Sequence, residues 1–121
     1  MELQKLDYEF TICKIDNLEH VDFSREYVFL SKTDDEISLV CESAYVPPHA
    51  KTSKIVWRGF RISGILDFEM IGVIAKITDI LANADISVFV VSTYNTDYFF
   101  VNIENFDASF MLLTENGYTF K

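Results

Sequence analysis

Gly64-Ile65-Leu66-Asp67-Phe68-Glu69-Met70-Ile71-Gly72-Val73 is the stretch on which the reading of this chain turns. A strand-like segment, Lys54 to Ser63, leads into it, and apolar residues at helical spacing follow it. It therefore reads as the end of a strand, a tight turn and the first turn of a helix. Such a junction leaves backbone amides without acceptors at the positive end of a helix dipole, which suits a small carboxylate. Two further polar clusters, Ser31-Lys32-Thr33-Asp34-Asp35-Glu36-Ile37-Ser38 and Ser92-Thr93-Tyr94-Asn95-Thr96-Asp97-Tyr98, sit at strand ends. Three such clusters in an apolar chain suggest a ligand-binding module and no particular reaction.

Downstream of the junction, Glu69 to Ala84 reads as a helix. At 100° per residue Met70, Val73, Ile74, Ile77, Ile80, Leu81 and Ala84 fall on one side, and Glu69, Lys76, Asp79 and Asn83 fall opposite. Ala75, Thr78 and Ala82 form a stripe of small residues on one flank. Ile86 to Thr93 is nearly all apolar and β-branched, the composition of a central strand. Asp97 to Ile103 follows after a short turn, giving a hairpin. Phe106 to Glu115 reads as a second helix, with Asn105 as its N-cap and Gly117 as its stop. Tyr118 to Phe120 is a last short strand. Residues 54–121 thus spell β-α-β-β-α-β, the ferredoxin-like order of an α+β unit: an antiparallel sheet with both helices on one face.

Upstream, Tyr8, Phe10 and Ile12 alternate with Glu9, Thr11 and Cys13, as in a strand with one buried face. Asp16 to Ser24 is a loop or a single helical turn. Glu26 to Lys32 and Ile37 to Cys41 pair as a hairpin about the turn at Thr33–Glu36. Pro47-Pro48 cannot continue a ladder, so 47–53 is the internal boundary. The expected division is a reduced, β-rich N-terminal module, 1–50, and a complete module, 54–121. No sequence repeat links the halves; the parallel rests on element order.

The chain has 121 residues, half of them apolar and 11 of them Phe, enough for a sizeable core. A net charge of −9 repels phosphate backbones and anionic lipid, so neither nucleic acid nor membrane is an expected partner. Cys13 and Cys41 lie in apolar segments without the spacing of a metal site and read as small buried thiols, and His20 and His49 read as surface residues. No metal and no cofactor is expected. No apolar run approaches the roughly 18 residues that span a bilayer. No secretory signal opens the sequence, so the expected location is the cytoplasm.

Gly64-Ile65-Leu66-Asp67-Phe68 with Gly72, Ile86-Ser87-Val88-Phe89, and Ser92-Thr93-Tyr94 with Thr96-Asp97-Tyr98 closely resemble the ACT-domain family. The likeness extends to Ser31-Lys32-Thr33 and Asp35-Glu36-Ile37-Ser38, as in small proteins with two ACT-like modules. That branch is similar to the regulatory domains of aspartate kinases and to the cytosolic arginine sensors of animals. The resemblance implies regulatory binding of small ligands, most often amino acids, at an interface between modules, and pairing of modules as a homodimer. It implies no catalytic residue. The chain has no room for an attached enzyme, so any regulation of a protein partner is expected in trans.

The expected ligand-binding residues are Asp67, Phe68, Met70, Ile71, Gly72, Val73, Ser31, Thr33, Glu36, Thr93 and Asp97. Each also has an ordinary explanation. Asp67 can cap the helix, worth about 1 kcal/mol, or meet a ligand ammonium. Gly72, inside the first helical turn, allows either tight helix–sheet packing or clearance for a ligand. Ser31, Thr33 and Glu36 form a polar turn, or a tip offered to the junction of another module. Asp97 caps a turn, or reads a ligand side chain, and with Glu36 it would favour a basic one. Tyr98-Phe99-Phe100 is core rather than a stacking platform. No nucleophile with a neighbouring base, no histidine pair and no phosphate loop is present, so an enzyme is not expected. The competing reading is a protein-interaction module with no ligand.

Overall fold

The structure, a computed structural model, describes residues 1–65 and 70–121. The chain divides into two compact units, residues 1–7 with 58–121 and residues 8–57. This differs from the expected division chiefly in residues 1–7. The cause is β1 (Glu2–Ile15), a strand of 14 residues rather than the eight that alternation marks out. Leu3 and Leu6 are both buried but three apart, so they point to opposite faces and leave no period-two signal.

In the larger, helical unit the order is β5 (Trp57–Ile62), α1 (Val73–Ala82), β6 (Phe89–Ser92), β7 (Asp97–Asn102), α2 (Phe106–Glu115) and β8 (Thr119–Phe120). This is the βαββαβ order read from the sequence. Within the sheet β6 pairs with β7, β7 with β5, and β5 with β1, while β8 pairs with β1 in parallel at Glu2–Thr119 and Leu3–Phe120. The N-terminal strand therefore stands between β5 and β8. Ser63 N–H donates to the Glu2 carbonyl at 3.0 Å and Lys121 N–H to the Leu3 carbonyl at 2.7 Å.

Both helices cover one face. Leu3, Phe60, Ile62, Phe99 and Val101 of the sheet pack against Ile77 and Leu81 of α1 and Phe106 and Leu113 of α2. The Phe60 and Phe99 rings stack at 5.3 Å. Each such burial is worth about 1.5–3 kcal/mol. On the other face Gly59 is a steric necessity, because a Cβ there would stand 2.8 Å from the Phe100 ring.

Three expectations change. The helix expected from Glu69 begins at Val73 and ends at Ala82, before Ala84. Its end is a Schellman-type closure, with Ile86 N–H on the Leu81 carbonyl at 3.0 Å and Asp85 left-handed at φ 60°. Second, β6 is the edge strand rather than a central one, with Phe89, Val90 and Val91 only half-buried. The interior strand of that hairpin is β7, flanked by β5 and β6, where Phe99, Phe100 and Val101 are fully buried. Third, the stretch 8–15 buries both faces, Phe10 on one and Cys13 and Ile15 on the other. The α2 bounds match those expected, but the Asn105 side chain makes no cap hydrogen bond; Asn102 Oδ1 instead accepts from Glu104 N–H at 3.0 Å in the 3-10 turn that leads into the helix. Gly117, at φ 93°, lets Tyr118 N–H close on the Leu113 carbonyl at 3.1 Å.

The smaller, β unit holds β2 (Val28–Lys32) paired with β3 (Ile37–Glu42), which pairs in turn with residues 10–15 of β1. A short β4 (Lys51–Thr52) pairs with β1 just after the two prolines. No α-helix occurs among its residues. Buried Glu42 accepts from Arg25 Nε at 3.1 Å and from its Nη2 at 2.9 Å, which ties the loop before β2 to β3.

Internal geometry repeats between the units at an offset of sixty residues. Strands β3 and β7 span 37–42 and 97–102, and each runs into a 3-10 turn, 43–45 and 103–105. The hairpin registers match, Leu30 opposite Leu39 and Val90 opposite Phe99. Each turn is closed alike, Thr33 N–H to the Glu36 carbonyl and Thr93 N–H to the Thr96 carbonyl, both at 2.9 Å. Val28/Val88, Phe29/Phe89 and Thr33/Thr93 alone are identical at this offset within the hairpins. The repeat is one of backbone, which explains its absence from the sequence.

Candidate functional site

β5 ends at Ile62 and α1 starts at Val73, and the site is built around where that helix starts. Gly72 is the N-cap residue, in the left-handed conformation at φ 79°, ψ 9°. A Cβ at this position would meet nothing within 4 Å, so the glycine serves the backbone conformation rather than close packing. It precedes the helix instead of lying in its first turn. Gly72 offers no capping side chain and no acidic residue lies in the first turn of α1. The positive end of the helix dipole faces no carboxylate of its own first turn.

Opposite that helix start lies the β6–β7 turn. Thr93 Oγ1 donates to the Thr96 carbonyl at 2.9 Å and accepts from Thr96 N–H at 3.4 Å. Thr96 is buried, and its hydroxyl donates to the Ile62 carbonyl at 2.8 Å. The turn is thereby tied to the last residue of β5, where the chain leaves the sheet for the helix.

A cavity of about 530 Å³ opens between the two, within the roughly 300–1,000 Å³ of small-molecule sites. Met70, Gly72, Val73 and Ile74 wall one side, and Thr93, Thr96 and Asp97 the other. A second cavity of about 600 Å³ flanks the same helix start and takes in Met1, Ile71, Lys76 and Tyr118. Exposed apolar side chains stand at both cavities: Tyr94 at the first is 80 % accessible and Ile71 at the second 96 %.

Of the expected residues, Met70, Gly72, Val73, Thr93 and Asp97 come together around the first cavity. Ile71 turns to the second. Asp67 and Phe68 lie outside the described residues. Ser31, Thr33 and Glu36 belong to the exposed β2–β3 turn of the β unit. There the Thr33 hydroxyl accepts from the Asp35 and Glu36 amides at 3.1 and 3.2 Å. Sequence reasoning misses Thr96 as the tie of the turn. The Thr-x-x-Thr spacing marks the turn, but the acceptor at Ile62 is visible only in the fold. Among the described residues no three His, Cys, Asp or Glu side chains group to hold a metal, and no helix is long and apolar enough to cross a membrane.

A family model described as ACT domain matches residues 52–115. Among solved structures, the crystal structure of an Agobacterium tumefaciens protein is similar at 24 % identity and TM-score 0.87, over 99 % of this chain and 91 % of its own. A Vibrio cholerae protein of unknown function, described as a possible transport protein, is similar at 19 % identity and TM-score 0.77, over 92 % of this chain and 85 % of its own. At these identities the likeness is one of fold. No curated protein matches the sequence.

Proposed function

The chain belongs to the ACT-domain family, and from that premise we propose that it is a regulatory protein that binds a small molecule, an α-amino acid, and has no catalytic activity of its own. The observation that carries this reading is the cavity between the start of α1 at Gly72 and the Thr93–Asp97 turn. The ligand carboxylate docks on the amides at the start of α1, about Ile71–Val73, where peptide dipoles favour an anion. The ammonium meets Asp67 or strand carbonyls. Asp97 reads the side chain, with a basic one favoured. In this reading the β unit is a reduced ACT-like module. Its β2–β3 turn, with Ser31, Thr33 and Glu36 exposed, is offered to the cavity of another module in a homodimer. Ligand binding shifts the population between two arrangements of modules, the usual form of allosteric coupling, in a cytoplasmic protein acting in trans.

The experiment is isothermal titration of the full chain with each of the twenty amino acids, repeated on Asp97→Asn. One amino acid binding, weakened at least tenfold by the substitution, supports the proposal; no heat with any of them removes it. A second reading, an interaction module without a ligand, draws on the exposed Ile65, Ile71 and Tyr94. It is favoured if a protein partner co-purifies while no amino acid binds.

A further inference from the structure

The β unit, residues 8–57, contains no α-helix. Cys13, Ile15, Leu39 and Cys41 form the buried cluster on one face of its sheet, with Val28, Leu30 and Val46 packed around them, while Phe10 and Val40 are buried on the other face. Both cysteines of the chain lie in that cluster as free thiols, each about 4 % exposed.

Strand register places them side by side. Cys41 stands opposite Thr11 and Cys13 opposite Leu39 in the β1–β3 ladder. Thr11 and Cys13 are two apart, so both cysteines project from the same face as diagonal neighbours. Each thiol perturbs the other: the neighbouring Cys41 thiol lowers the Cys13 thiol from its ordinary value, and Cys13 with burial pushes the Cys41 thiol up. The direction of these shifts favours Cys13 over Cys41 as the attacking thiol. The helical unit fills the position equivalent to Cys41 with Val101, fully buried. Packing at that point does not call for sulfur.

We propose that Cys13 and Cys41 are a redox pair that closes reversibly into a disulfide between β1 and β3. The oxidant is a low-molecular-weight disulfide. The Cys13 thiolate attacks one of its sulfurs, the oxidant S–S bond breaks, and one thiolate leaves and takes up a proton. The Cys41 thiol then gives up its proton, and its sulfur attacks Cys13 Sγ and expels the second thiol. Two protein thiols are oxidised to one disulfide, and one oxidant disulfide is reduced to two thiols. Diagonal neighbours in a sheet lie about 7–8 Å apart at Cα, and a disulfide tolerates about 7 Å. Closure therefore draws the strands together and gives a bond of the strained, readily reduced class rather than a permanent staple. Because both thiols are buried, its rate follows local opening of the β unit.

The test exposes the full chain to oxidised glutathione under native conditions, then quenches in acid, denatures, alkylates and maps by mass. The expected product is a monomer lighter by two hydrogens, free of glutathione, with residues 13 and 41 cross-linked, and returned to the starting mass by dithiothreitol. Both cysteines still alkylated after exposure through many opening events overturns the proposal, as does a glutathione adduct as the end product or a cross-link between two chains. Cys41→Val, which installs the residue used by the helical unit, is expected to stop at the glutathione adduct of Cys13. No adduct in that variant overturns Cys13 as the attacking thiol. The wild-type mapping decides the disulfide itself whether or not the variant folds.

Discussion

Thr96→Val is the substitution that tests how the candidate site is built. The Thr96 hydroxyl is buried and donates to the Ile62 carbonyl at 2.8 Å, so it fastens the β6–β7 turn to the end of β5. Valine keeps the branched shape and replaces the hydroxyl by a methyl, so packing is nearly unchanged while the buried acceptor loses a donor. That loss costs about 1–3 kcal/mol, and in a chain of this size it lowers Tm by roughly 3–12 °C. Thr96→Ser keeps the donor and loses one methyl, about 0.8 kcal/mol. Urea unfolding of the three proteins at 25 °C measures both changes, with an unchanged m-value showing that stability alone has moved. Amide exchange at Thr93–Asp97 should accelerate in the valine variant and hardly change in the serine variant. A valine variant within about 0.5 kcal/mol of wild type, or a serine variant less stable than the valine one, would refute the role given to this hydrogen bond.

Other consequences are as direct. Gly59→Ala brings a Cβ to 2.8 and 2.9 Å from the Phe100 ring and 3.3 Å from the Phe99 carbonyl. It should cost about 1–3 kcal/mol by overpacking, and much less in a Phe100→Leu background; additive costs in a double-mutant cycle would contradict the contact. Asp85→Gly relieves a left-handed aspartate at φ 60° after α1 and should raise stability by about 0.5–1 kcal/mol, read as a higher urea midpoint. Tyr118 is half-buried, and burial raises its phenol above the ordinary value of 10.0. The unfolded chain then ionises first, so this contribution to stability is whole below pH 10 and is lost as pH rises toward the folded value. Tyr118→Phe should flatten the alkaline fall of the urea midpoint, and an unchanged slope would count against it.

How much was legible in the sequence follows from which interactions are local. The end of α2 is legible because Gly117 marks it within the segment, while its start coincides with Asn105, whose side chain makes no cap hydrogen bond. The βαββαβ order was readable because apolar period switches between two and 3.6 along the chain. The first half of β1 was not, since Leu3 and Leu6 are buried on opposite faces and the strand that pairs with Glu2 and Leu3 lies at the far end of the chain. Nor was the position of β6: a β-branched run reports burial tendency, not which strands flank it. At the site, the helix start was misplaced because Gly72 looks like a poor helical residue and is in fact a left-handed N-cap. Thr93 and Asp97 were legible as turn residues. The tie from Thr96 was not, because its acceptor is 34 residues away.

The most direct test of the account is amide NMR of the full chain while the amino acid that binds best is added. The account predicts that the largest shifts fall on Gly72–Ala75 and on Ser92–Asp97, the two walls of the cavity, and that they saturate with a single affinity. Shifts absent with every amino acid, or saturable shifts centred elsewhere with these two segments unmoved, would contradict it.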